Sequence, residues 1–105
     1  MAINSKRKGK TGELEAAAFL REHGIEARRG QQFSGGTDSP DVVSSIPNVH
    51  LEVKRTEKVQ FHDWMKQAEH DAGARMPVVM HRRNKGEWYG IVPMKYLILW
   101  LREMR

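Results

Sequence analysis

The chain has 105 residues, with 18 Lys and Arg against 13 Asp and Glu and a formal net charge of +5. At roughly 150 residues per domain this is a single domain over residues 1–105, and it carries no run of 18 or more apolar residues that would span a membrane. It has no Cys, which excludes a disulfide framework and a thiolate metal site and fits a cytoplasmic setting.

Residues 1–10 read as a basic N-terminal arm, because Lys6, Arg7, Lys8 and Lys10 precede any apolar periodicity. No apolar stretch follows them, so they do not read as a secretory signal. Thr11 to His23 reads as a helix, with Ala16, Ala17 and Leu20 on one stripe and Gly24 as its stop. Glu13 falls inside that apolar stripe, where a carboxylate is costly unless something pairs with it. Glu15 lies on another face and reads as surface. Ile25 to Arg29 is a short strand, and Gly30 to Ser39 is a Gly- and Ser-rich loop. Asp41 to Ser45 and Val49 to Lys54 are strands joined by Ile46-Pro47-Asn48, with Pro40 at the entry of the first. Gln60 to Ala72 is an amphipathic helix that places Phe61, Trp64, Met65, Ala68 and Ala72 on one face. Pro77 to His81 and Glu87 to Val92 form a hairpin around Asn84-Lys85-Gly86. Pro93 opens a last helix bearing Tyr96, Leu97, Leu99, Trp100 and Leu101. The order α-β-β-β-α-β-β-α predicts an α/β domain, a mixed sheet flanked by helices.

The chemistry concentrates in Pro40-Asp41 and Glu52-Val53-Lys54. Side chains alternate along a strand, so Glu52 and Lys54 share a face and Val53 takes the other. If Val42, Leu51 and Val53 face the core, Asp41 joins Glu52 and Lys54. Pairing of Ser44 with Val49 then sets Asp41 opposite Glu52, about 5 Å apart at Cβ. Two carboxylates that close repel, and one pKa rises unless a cation intervenes. The oxygen donors suit Mg²⁺, with Mn²⁺ able to substitute. Lys54 can orient or deprotonate a metal-bound water, whose pKa the ion lowers. Glu13 can join as a third acid. The competing reading of these charges is an ordinary hairpin with a solvated face.

The ordered set of Glu13, Ser34-Gly35, Pro40-Asp41 and Glu52-Val53-Lys54 resembles the PD-(D/E)XK nuclease superfamily. Closer still, it resembles the archaeal-type Holliday junction resolvases and related phage endonucleases, over roughly residues 6–80. That resemblance implies a restriction-endonuclease-like fold and a Mg²⁺-dependent endodeoxyribonuclease acting on branched DNA as a homodimer. By it, Asp41 and Glu52 ligate the ion, Glu13 binds it directly or through water, and Lys54 assists the attacking water. Ser34 matches a position used near the scissile phosphate. A nickase or flap nuclease with the same site, or a non-catalytic DNA-binding protein of the same fold, is the alternative.

Basic residues would hold the phosphodiester backbone with little base readout. The candidates are Lys6, Arg7, Lys8 and Lys10 at the start, Arg28 and Arg29, then Arg55, Arg82 and Arg83. Gln67 and the histidines read as surface or structural, with His50 able to make a structural or substrate contact beside Glu52. Trp64 and Trp88 read as packed. The final apolar stripe reads as sheet cover or, second, as a dimer interface.

Overall fold

A computed structural model describes residues 2–30 and 40–104, with side chains from residue 9 onward. The elements are α1 (Ala2–Glu22), β1 (Ala27–Arg29), β2 (Val42–Ser44), β3 (Val49–Arg55), α2 (Phe61–Ala72), β4 (Met76–Arg82), β5 (Tyr89–Ile91) and α3 (Met94–Glu103). The strands form one mixed sheet in the order β1-β2-β3-β4-β5. Among the described residues only β3 and β4 run parallel, and α2 is the crossover between them. The mixed α/β architecture is the one the order of elements predicts, and it is restriction-endonuclease-like, as the resemblance implies.

Period-two alternation divides β3 and β4 between two cores. Leu51, Val53, Met76, Val78 and Met80 point to α1 and meet Ala16, Ala17 and Leu20, with Val42 of β2 completing the layer. Val79 points to α2 and packs with Trp64 and Ala68. The alanines of α1 bring its backbone close to the sheet. At Gly12 an added Cβ would stand 2.9 Å from the Cβ of Arg55, so the close approach needs a residue without one. Burial of each core Val or Leu stabilises the fold by about 1.5–3 kcal/mol. Pro77, which cannot donate to a ladder, is tolerated in central β4 because β5 pairs only with Val79, Met80 and His81.

The first helix differs most from expectation. It begins at Ala2 rather than Thr11, so it runs through the segment read as a basic arm. Lys and Arg are good helix formers, and Gly9 and Gly12 do not interrupt the hydrogen-bonded run. Its end is a Schellman motif: Ile25 N–H donates to Leu20 O at 3.0 Å and Gly24 N–H to Arg21 O at 3.1 Å, with Gly24 at φ 82°. The other boundaries lie within two residues of expectation. β5 is shorter because Trp88 turns inward to pack on the α1-side core near Phe19. Both Trp64 and Trp88 are packed, as expected.

Gly30 ends β1 against the residue that matters most for the site. Its N–H donates to Asp41 O at 2.8 Å, and a Cβ there would fall 2.1 Å from the Pro40 carbonyl oxygen. Backbone must move to admit it, so Gly30→Ala is expected to cost about 1–3 kcal/mol, read as a lower urea midpoint. An unchanged midpoint would mean that β1 and the Pro40–Asp41 backbone are not packed this closely.

Candidate active site

The pairing of Val42 with Leu51 is the register that sets Asp41 across from Glu52. Asp41 stands just before β2. Its N–H donates to Leu51 O at 2.9 Å, and its Oδ2 accepts the Val53 N–H at 2.8 Å. The carboxylate thus takes the place of a backbone carbonyl where the β2–β3 ladder ends. This fixes Asp41 against Glu52, to which it is also hydrogen-bonded. Both are buried, with 8% and 4% of their surface exposed.

That setting changes the acidity of Asp41. Burial first, and the neighbouring charge of Glu52 second, are the main causes that raise its pKa from 3.8 to about 7. The Val53 N–H works against this, while the hydrogen bond to Glu52 and the more distant charge of Glu13 add to the rise. Near neutrality Asp41 therefore holds a proton part of the time. A divalent cation between the two carboxylates would replace that proton, and two carboxylate donors fit a hard ion.

The remaining candidates divide. Lys54 shares the Glu52 face, is half-buried, and its Nζ lies 3.5 Å from Gln67 Oε1 on α2. Gln67, read as surface, is exposed but reaches this lysine. Glu13 is buried and lies near Asp41, and its Oε1 accepts from Arg29 Nε at 2.6 Å. The costly acid in the apolar stripe is thus balanced by an arginine read as a DNA contact. Ser34 lies outside the described residues.

Three of the basic residues read as DNA contacts are engaged within the fold. Besides Arg29, Arg55 Nε donates to Glu15 Oε1 at 2.6 Å and its Nη1 to Asn84 Oδ1 at 2.7 Å. Arg82 stands 3.8 Å from the same Glu15 oxygen and over the Trp88 ring. Glu15 is therefore a tie between α1 and the sheet rather than free surface. Lys10, Arg28 and Arg83 are exposed. The side chains of Lys6, Arg7 and Lys8 lie outside the described residues.

Of two further partners of the site, sequence reasoning left His50 open between a structural and a substrate contact and passed over Asp71. His50 is wholly buried, and its Nε2 donates to Glu52 Oε1 at 2.7 Å. Asp71, on the last turn of α2, has a carboxylate oxygen close to both. The signal was the helical spacing of Trp64, Gln67, Ala68, Asp71 and Ala72, a stripe whose polar members border the buried ones.

The chain matches, over residues 4–104, the family described as phage putative PDDEXK endonuclease, and it belongs to that family. It is thereby a member of the PD-(D/E)XK nuclease superfamily. No curated protein and no solved structure matches it.

Proposed function

We propose that this chain is a Mg²⁺-dependent DNA endonuclease that hydrolyses phosphodiester bonds, and that it acts on branched DNA as a homodimer. The observation that carries the catalytic reading is the buried contact of Asp41 with Glu52, with Lys54 on the same face. Asp41 and Glu52 would hold the ion, with Glu13 at its side. When bound, the ion supplies an acidified water and stabilises charge on a phosphoryl oxygen. The protein's own contribution is positional. The Val53 N–H and the His50 imidazole fix the two carboxylates, Gln67 holds Lys54, and Lys54 can orient or deprotonate the attacking water. Lys10, Arg28 and Arg83 are exposed and available to phosphates.

The dimer reading rests on α3. Among the described residues of this helix none is buried. Ile98, Leu99, Trp100 and Leu101 are each about half exposed, at 45–54%. A four-way junction has two strands to cut symmetrically, and a C₂ pair supplies two sites. No helix among the described residues is long and apolar enough to cross a membrane; the setting we infer is the cytoplasm.

The test is cleavage with Mg²⁺ on a four-way junction, a flap and a plain duplex, run beside light scattering. Junction preference and twice the 12.1 kDa chain mass are expected, and Trp100→Glu with Leu101→Glu should yield monomer. A strict monomer, free and on DNA, would defeat the junction reading and leave a nickase or flap nuclease. Absence of cleavage on all three substrates would defeat the catalytic reading.

A further inference from the structure

The face of β3 that carries Glu52 also carries His50, and α2 closes over it. One ligand atom each from His50, Glu52 and Asp71 lie within 4.8 Å of one another. The His50 ring is wholly buried and aimed into this group, its Nε2 at 2.7 Å from Glu52 Oε1. Its Nδ1 is buried too and has no hydrogen-bond partner among the described residues. Asp71 reaches in from the helix with its side chain 15% exposed, and its Oδ1 stands 3.2 Å from Nδ1 of the exposed His70.

We propose that His50, Glu52 and Asp71 form a second divalent-cation site, on the α2 side of Glu52, that takes Mn²⁺, Co²⁺ or Zn²⁺ in preference to Mg²⁺. Two carboxylates this near each other repel unless something offsets their charge. A cation does. The donor set of one nitrogen and two oxygens suits first-row transition ions, whereas Mg²⁺ favours oxygen alone. Bonds of about 2.0–2.2 Å put ligand atoms roughly 3–3.5 Å apart, so atoms that now stand up to 4.8 Å apart must draw in around the ion. The ring nitrogen that now meets Glu52 is the one placed to reach such an ion. Glu52 would then serve two sites, one carboxylate facing Asp41 on one side and His50 with Asp71 on the other. An ion here ties the end of α2 to β3 and fixes the orientation of Glu52. The proposal rests on the nuclease reading only for the site at Asp41.

Titration of the full chain with Mn²⁺, by calorimetry and by electron paramagnetic resonance, separates the two sites. Two ions per chain are expected. Asp71→Asn should lose one, or bind it on the order of 10–100-fold more weakly, and Asp41→Asn should lose the other. Asp71 is partly exposed, and a metal-free melting temperature no lower than that of the unaltered chain shows that its variant is folded. Zn²⁺ should shift the ¹⁵N resonance of a His50 ring nitrogen in the unaltered chain and in Asp41→Asn, but not in Asp71→Asn. An ion count that Asp71→Asn does not lower, or a His50 nitrogen that Zn²⁺ leaves in place, overturns the second site and leaves the nuclease reading intact. A single ion lost in Asp71→Asn and kept in Asp41→Asn upholds the second site and removes the cation from Asp41. No bound Mn²⁺ at all overturns both.

Discussion

Asp41→Asn is expected to abolish cleavage while leaving DNA binding unchanged or tighter. Asparagine keeps the shape of the side chain. Its Oδ1 can still accept the Val53 N–H that Asp41 Oδ2 now accepts at 2.8 Å, and its amide can donate to Glu52. What it removes is one of two negative charges on the ion. Loss of a partner that merely orients a ligand already weakens metal sites by about 10–100-fold. Loss of the ligand itself should therefore cost on the order of 1000-fold in rate, more than the outer partners do. Contacts to phosphate come from exposed basic side chains elsewhere, so the salt dependence of binding should keep its slope. Single-turnover cleavage and a salt titration of binding measure the two effects separately. A variant that cuts at the unaltered rate with Mg²⁺ would take Asp41 out of the reaction.

The acid pair was legible in the sequence because two local features agree. Val42, Leu51 and Val53 assign the core face, and the short turn through Asn48, which adopts φ 59°, fixes the register. A one-residue slip would have sent Asp41 to the opposite face, so the register carries the site. The partners that come from other elements were not legible. Glu13 was visibly misplaced in an apolar stripe, yet nothing local identifies Arg29 as the residue that balances it. Arg29 and Arg55 read as free cations because a charge count cannot distinguish a solvated arginine from one opposite a carboxylate. Asp71 meets His50 only through the packing offset of α2 on β3, which the crossover geometry sets and no periodicity encodes. For α3 the apolar stripe was plain, but whether anything covers it depends on tertiary placement.

The metal-free protein is expected to lose stability as pH rises from about 4 to about 7 through this one site. The sign follows from where the proton is held. Asp41 titrates near 3.8 when unfolded and at about 7 when folded. Between those values the folded state keeps a proton that the unfolded chain has released, so raising the pH favours unfolding. Below the lower value both states are protonated and the site costs nothing. Above the upper value both are ionised, and the full penalty of two buried carboxylates in contact is present. Other titrating groups contribute their own pH dependence, so the site is read from a difference. The melting temperature of the unaltered chain in chelator, minus that of Asp41→Asn, should fall across this window and then level off. Added Mg²⁺ should restore the unaltered chain above neutrality and leave the variant where it is, because an ion binds the ionised pair that folding alone disfavours. The substitution that stops cleavage is thus expected to stabilise the metal-free fold at pH 8. A flat difference curve would mean that Asp41 is solvated or paired with a cation already. In that case the strain between Asp41 and Glu52 could not be what draws a metal into the site.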